Sequence, residues 1–364
     1  MLSHADARYL KGKRILLITP FHRGQRGNSL TSERIQNGLR KMEIDIDLLS
    51  LEDQDWKATL LHALSRSRYA LIHGFHGLKF ARVLEHIPKL RELPLVLTMT
   101  GTDINLDLLG PHRELVLTAM RAVERIIVFN EDFLSSLSIE FPEFQAKLLS
   151  IPQGVHLEPA SSIDGKQLGL GEGNFVFILP SGLREVKNIE LALDALSQVW
   201  TRQPHIRLLI LGAAIENDYS KMIMKRIDNL PWVTYLGEIP HHQVHAYYRL
   251  ADVVLNTSQA EGQPQAALEA MSLGIPAILT AVPGNLGIIE DGVQGFYASN
   301  SFQIQESANR LISDQKLKQQ MGQAAAQLVR SKFQAQREFD AHAALYRQIL
   351  AGTGVKAMGK GIDL

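Results

Sequence analysis

Two glutamates, Glu261 and Glu269, are separated by seven residues in the stretch NTSQAEGQPQAALEAMSLGIPAILTAVPGNLGIIEDG that begins at Asn256. Pro264 suits the first position of a helix, because its missing N–H would have no intrahelical partner there. Gly274 suits the end of the same helix. Between them Ala266, Ala267, Leu268, Ala270, Met271 and Leu273 leave little polar face, so the helix is expected to be largely buried with Glu269 in its middle. A buried carboxylate without donors is costly. A ribose diol can supply two hydroxyl donors to one carboxylate, and an internal arginine is the alternative. Glu261 lies just before Gly262, Gln263, Pro264 and Gln265. It can face a sugar hydroxyl while the first backbone N–H groups of the helix face oxyanions. The plainer reading of Glu261 alone is solvation.

A second group of chemically capable residues lies in ILPSGLREVKNIELALDAL, where Arg184 and Lys187 occupy an expected strand-to-helix turn. A diphosphate leaving group needs positive charge close to its developing negative charge. Arginine can grip it with two parallel hydrogen bonds, and lysine acts as a point charge. Two exposed turn cations are the competing reading, weaker for Lys187 than for Arg184. The first turn, PFHRGQRGNSLTSERI, places Gly24 and Gly27 before a helix, where backbone N–H groups can face phosphates or an acceptor. It lacks the spacing of a dinucleotide fingerprint and is followed by no Walker lysine. His76 follows an expected strand at the end that would line a cleft, and an ordinary loop histidine is an equal reading. His73 reads as a strand residue. His241 and His242 read as flanking a helix, with no chemistry assigned.

These groups must be positioned by some framework. The chain has 364 residues, more than one core usually holds, with 45% hydrophobic and 21% charged residues. Lys plus Arg and Asp plus Glu both total 38, so net charge gives no general pull toward nucleic acid or an anionic membrane. The chain has no cysteine, which excludes disulfides and thiolate zinc sites and suits a cytoplasmic protein. The first residues do not read as a secretory signal, and no stretch approaches the roughly 20 apolar residues of a membrane span. Peripheral membrane contact stays open.

Short apolar runs alternate with amphipathic segments. Strands are expected at 14–19, 44–49, 69–73, 95–99, 125–129 and 147–151, then at 175–179, 206–211, 232–236, 253–255 and 277–279. Helices are expected between them, and 302–350 is a long run of helix formers. Such an alternation points to parallel sheets covered on both faces, with right-handed crossovers. The expected fold class is α/β, with two Rossmann-like doubly wound parallel-sheet domains and a site in the cleft between them, at the carboxyl ends of the strands. The expected boundaries are 1–155 for the N-terminal, acceptor-side domain and 156–173 for a connection rich in Pro, Gly and Ser. The nucleotide-sugar domain follows at 174–335, then a helix at 336–352 returning to the first domain and a tail at 353–364.

The Glu261–Gly274 stretch resembles the donor-site signature of retaining GT-B glycosyltransferases of family four: a Glu, seven residues, a second Glu, Ala-Met, a Gly, and a Pro before a strand. Gly274 and Pro276 match the closing turn. IPQGVHLEP at 151–159 is similar to the family's interdomain segment. YLGEIP at 235–240 is similar to its nucleobase loop, where the backbone around Ile239 would read the base. The resemblance implies that Glu261 contacts the donor sugar, that Glu269 holds the ribose, and that Arg184 and Lys187 hold the diphosphate. The order Gly182-Leu183-Arg184 departs from the commoner Gly-Arg-Leu and resembles one branch, that of the glycosyltransferase-one-domain-containing proteins and bacterial selenosugar synthases. Gly27-Asn28 with Thr31, Gly101-Thr102-Asp103 and Pro283-Gly284-Asn285 agree with that branch. Many members carry a His-Gly pair where this chain has Thr100-Gly101, and Asp103 and His76 are the substitute candidates for that histidine.

The expected activity is metal-independent transfer of a sugar from a nucleotide-diphosphate sugar, by resemblance UDP-linked, to a small-molecule or glycan acceptor, with retention and without a cofactor. Two other readings share the architecture: an epimerase or hydrolase of nucleotide sugars, and a degenerate nucleotide-sugar-binding protein. The intact glutamate pair weighs against both.

Overall fold

The computed structural model describes residues 4–21 and 27–352. The chain divides into two compact units, Met1–Gly154 with Ala335–Leu364, and Val155–Gln334, so it passes from one to the other twice.

The first unit is built on six strands: β1 (Arg14–Thr19), β2 (Ile46–Ser50), β3 (Tyr69–Phe75), β4 (Leu95–Thr98), β5 (Arg125–Val128) and β6 (Leu148–Ser150). They form one parallel sheet in the order β2-β1-β3-β4-β5-β6. Alternate residues of β1 enter different cores, as a period of two requires. Leu16 and Ile18 pack with Phe80, Val116 and Met120. Ile15 and Leu17 pack with Ile35, Leu39 and Tyr346 on the opposite face. The sheet is therefore covered on both sides, which is why β1 reads as an unbroken apolar run. Tyr346 belongs to the helix Ala335–Gly352, which is part of this unit although it lies at the other end of the sequence.

The second unit repeats the plan with β7 (Phe175–Pro180), β8 (Ile206–Leu211), β9 (Val233–Tyr235), β10 (Val253–Asn256), β11 (Ala277–Thr280) and β12 (Gly295–Ala298). All are parallel, in the order β12-β11-β10-β7-β8-β9. The chain moves outward from β7 through β8 and β9, then returns to place β10 on the other side of β7. Val253 pairs with Phe177 and Val254 with Ile178 across that reversal. Sheets of this order bind ligands just beyond the carboxyl ends of the strands flanking the reversal. The segments that follow β7 and β10 are the ones that carry Arg184, Lys187 and Glu261. Residues 156–173, expected as a connection, group with this second unit and hold a 3-10 turn at Gly165–Leu168.

Two six-stranded parallel sheets with helices on both faces are the α/β class that the alternating pattern predicts. Among the described residues no helix is long and apolar enough to cross a membrane.

Candidate active site

The turn after β7 is tied to the loop after β10 by backbone and side-chain hydrogen bonds. The Gln259 N–H donates to the Val186 carbonyl at 2.8 Å, and Thr257 Oγ1 donates to the Lys187 carbonyl at 3.1 Å. Lys187 ends a 3-10 turn, and Asn188 takes a left-handed conformation (φ 46°) before the helix Ile189–Trp200 begins. These constraints aim Lys187 at the second loop. Its Nζ lies 2.5 Å from Glu261 Oε1. The same oxygen accepts from Ser258 Oγ at 2.6 Å and from Asn256 Nδ2 at 2.9 Å. Burial alone would raise the Glu261 pKa. The Lys187 ammonium and the hydrogen bonds from Lys187, Ser258 and Asn256 outweigh it and hold the carboxyl below its ordinary value. Glu261 is thus ionised and fixed at neutral pH.

Its main chain is fixed as well. The Glu261 N–H donates to the Pro283 carbonyl at 3.2 Å. Gly284 (φ 87°) presses so closely that a Cβ there would lie 2.1 Å from the Glu261 carbonyl oxygen. Only glycine fits both the conformation and the approach.

Arg184 precedes this turn in extended conformation. Its Nε is buried and has no hydrogen-bond partner among the described residues. A buried guanidinium N–H without an acceptor is expensive in a folded protein. An anionic ligand is the natural acceptor.

Helix Gln265–Ser272 starts one residue after Pro264, which acts as the cap, and Gly274 (φ 84°) ends it in the left-handed region. Gly262, Gln263 and Pro264 are buried, and Gln265 is half-buried. Glu269 is 5% exposed, as the apolar helix requires. Its internal partners are not the arginine considered from sequence. His241 Nε2 lies 2.9 Å from Oε1, and the Tyr248 hydroxyl donates to Oε2 at 3.3 Å. Burial and then the Glu269 charge push Tyr248 well above the ordinary tyrosine pKa, so it remains a donor. His241, to which the sequence reading gave no chemistry, is therefore part of this site. Ile239, two residues earlier, is half-buried against the apolar core beneath β10 and β11.

In the first unit, His76 caps the helix Gly77–His86 with φ 70°, a conformation rare for a non-glycine residue. The residue is 7% exposed. Nε2 lies 3.1 Å from Thr102 Oγ1 and 3.9 Å from Asp107 Oδ2, while Nδ1 is buried without a partner among the described residues. Asp103 is 0% exposed. Its Oδ2 accepts the Gly77 N–H at 2.7 Å, and its Oδ1 accepts the N–H groups of Thr100, Gly101 and Ile104 at 2.9, 2.9 and 3.1 Å. A carboxylate offers about four acceptor positions. Asp103 therefore spends its capacity on the backbone, and its geometry is that of a residue shaping the loop on which Thr102 meets His76. Asp103→Ala should leave several buried N–H groups unpaired and cost at least about 3 kcal/mol. Urea unfolding checks this, and a loss below about 0.5 kcal/mol would contradict the loop-shaping role.

Thr31 Oγ1 donates to Gln153 Oε1 at 2.9 Å in the buried part of the same unit. Gly27 and Asn28 open the helix Gly27–Lys41, and their side chains lie outside the described residues, as does Gly24.

With that geometry in place, the comparison with known proteins is specific. Residues 162–328 match the family model described as glycosyl transferases group 1. The chain is 25% identical over 261 residues to glycosyltransferase 1 domain-containing protein 1 of Xenopus tropicalis, covering 70% of this chain and 76% of that protein. It is also 25% identical over 187 residues to N-acetyl-alpha-D-glucosaminyl L-malate synthase of Bacillus anthracis, covering 51% of this chain and 48% of that one. In fold it superposes on sucrose-phosphate synthase of Thermosynechococcus elongatus with a TM-score of 0.80 at 17% identity, over 93% of this chain and 100% of the other. HepE of Anabaena, solved with UDP and glucose, superposes with a TM-score of 0.71 at 19% identity, over 94% and 99%. These structures place both units in the GT-B fold. The segment matched by that family model holds the Lys187–Glu261 pair, Arg184 and the Glu269 cluster.

Proposed function

We propose that the protein transfers a hexosyl or N-acetylhexosaminyl group from a UDP-sugar to a hydroxyl acceptor with retention at the anomeric carbon. The observation that carries this reading is the ion pair of Lys187 with the half-buried Glu261 beside Arg184 Nε, which has no partner among the described residues, at the strand reversal in the segment that matches the glycosyl transferases group 1 model. Glu269, with His241 and Tyr248 behind it, takes the ribose hydroxyls. Backbone groups around Ile239 meet the uracil. Arg184 and Lys187 meet the diphosphate, so positive charge is available without a metal ion. Glu261 orients the sugar. Gly27 and Asn28 belong to the donor side by resemblance to the branch that includes the one-domain-containing proteins. His76 stands for the missing His-Gly histidine, held by Thr102 on the loop that Asp103 shapes.

In the reaction the bond between the anomeric carbon and the diphosphate oxygen breaks. The acceptor oxygen bonds to the same face of that carbon, and its proton passes to the departing phosphate oxygen. No protein nucleophile is required. UDP as the nucleotide is supported by HepE, solved with UDP-glucose, and by the pneumococcal O-GlcNAc transferase GtfA, solved with UDP and GlcNAc.

The test is a thermal-shift screen with UDP, UDP-glucose and UDP-N-acetylglucosamine, followed by acceptor assays with and without EDTA. A ligand at 100 times its Kd stabilises the native state by about 2.7 kcal/mol, an easily read rise in Tm. NMR of the product should show the donor's anomeric configuration. No shift with any of these ligands and no UDP release would sink the proposal.

A further inference from the structure

Glu261 owes its orientation to a side-chain chain that reaches well beyond it. Asn256, the last residue of β10, donates through Nδ2 to Glu261 Oε1 at 2.9 Å. Its Oδ1 accepts from the Ser258 N–H at 3.2 Å and from Asn285 Nδ2 at 3.1 Å. Those two donors decide which way the Asn256 amide points. Reversing it would set its oxygen against the Glu261 carboxylate and its NH2 against two other N–H donors. Asn285 in turn is 0% exposed, and its Nδ2 also donates to the Thr280 carbonyl at 3.0 Å and to Thr280 Oγ1 at 3.2 Å. Thr280 Oγ1 closes the ring by donating to the Ser258 carbonyl at 2.6 Å. The Asn285 carbonyl accepts from the Tyr297 hydroxyl at 2.7 Å, which holds the turn after β11 in place.

One detail argues that this arrangement is not kept for stability. Asn285 Oδ1 is buried and has no partner among the described residues. A buried amide oxygen left unpaired is unfavourable, and an apolar side chain of similar shape would remove the cost. Residues that break a local rule in this way cluster at functional sites.

We propose that Asn285 is a positioning residue for sugar recognition, acting through Asn256 to hold the Glu261 carboxylate in the orientation that meets the donor sugar. The relay rests on the reading of Glu261 as the sugar contact. Asn285 itself touches no substrate. The nucleotide half of the donor, held at Glu269, Arg184 and Lys187, lies outside the relay, so its binding does not depend on Asn285.

Calorimetric titration with UDP and with UDP-glucose separates these contributions. In the wild type UDP-glucose should bind more tightly than UDP. In Asn285→Leu the UDP affinity should stay within about two-fold, while the advantage of UDP-glucose should fall by about ten-fold or to nothing, the scale of a hydrogen bond to a charged group. Thermal stability should be unchanged or higher. Asn285→Asp gives a second route if the leucine variant does not fold. Its carboxylate accepts where the amide donated, turns the Asn256 amide over, and should remove the same advantage. Asn256→Ala should do likewise, and adding Asn285→Leu to it should change nothing further, because the relay is already cut. An advantage preserved in both Asn285 variants overturns the relay alone. A wild type that gains nothing from the sugar, or binds neither ligand, overturns the reading of Glu261 and the relay with it.

Discussion

Lys187→Ala should lower kcat/KM for sugar transfer by about a hundred- to a thousand-fold, the usual loss when one preorganised group facing a developing negative charge is removed. The geometry gives the reason. Lys187 Nζ sits 2.5 Å from Glu261 Oε1, in the same turn as Arg184. On the proposed reading, the ammonium balances Glu261 in the ligand-free protein and balances the diphosphate when that group begins to leave. Most of the loss should therefore appear in kcat. UDP affinity should fall too, but less, because Arg184 and the Glu269 cluster remain. Lys187→Arg should rescue only part of the rate, since a planar fork does not reproduce a compact point charge.

The same substitution has a signature in pH. In the wild type, Glu261 titrates below its ordinary 4.5 because the Lys187 charge and its hydrogen bonds outweigh burial. A folded-state pKa below the unfolded value contributes stability above the unfolded pKa, and that contribution is lost as pH falls through the folded value. Without Lys187, burial dominates and the carboxyl shifts upward. The acid limb of the residual activity should then begin at higher pH than in the wild type. An unchanged limb, or a kcat within about three-fold of wild type, would remove Lys187 from the site.

How far the sequence alone leads is visible at particular residues. Eleven of the twelve strands begin or end within two residues of where short apolar runs place them, because strands covered on both faces are apolar without interruption. β12 escapes because GFYA is short and opens on a glycine, and that glycine is needed by tertiary contact: a Cβ on Gly295 would meet the Ala277 carbonyl oxygen at 2.1 Å. The run at 302–350 is three helices, cut at Asp314, whose side chain caps the second by accepting the Leu317 N–H, and again at Phe333–Gln334.

The site divides in the same way. The two glutamates, the helix between Pro264 and Gly274, and the pair of cations after β7 are local patterns, so spacing reveals them. The groups that hold the glutamates are not local. His241 and Tyr248 reach Glu269 from 28 and 21 residues away, and Asn285 reaches Asn256 across 29. One rule did point toward them: a carboxylate in an apolar helix demands donors. It says that partners exist, not which strand delivers them. Asp103 shows the reverse case. An aspartate in Gly101-Thr102-Asp103 reads as available for chemistry, and only the folded loop shows four backbone N–H groups already on it.

The second large effect is acid destabilisation of the first unit. His73 in β3 and His342 in the helix Ala335–Gly352 are both buried, with ring centroids 5.7 Å apart and planes 26° from parallel. His73 Nδ1 is 2.7 Å from the Tyr346 hydroxyl and Nε2 is 2.7 Å from Thr98 Oγ1. His342 Nδ1 is 2.8 Å from the Glu338 carbonyl oxygen, and Nε2 is buried without a partner among the described residues. Burial first, and then the charge of His342, push His73 well below its ordinary 6.5. Burial also lowers His342, outweighing the nearby Glu338, which is itself paired with Arg34 at 2.8 Å. Both rings are therefore neutral in the folded protein at pH values where the unfolded chain already binds protons. Stability is full above about pH 6.5 and falls as pH drops below it, with a slope approaching about 1.4 kcal/mol per pH unit for each histidine until its folded value is reached. Urea unfolding at pH 7.5, 6.5 and 5.5 reads the slope through Trp56, with Trp200 and Trp232 of the second unit replaced by Phe. His342→Leu removes one titrating ring and its unpaired nitrogen, so it should remove up to half of the slope contributed by the pair while changing stability at pH 7.5 far less. A first unit equally stable at pH 7.5 and 5.5, or an unchanged slope in His342→Leu, would show that these buried rings do not couple folding to protons.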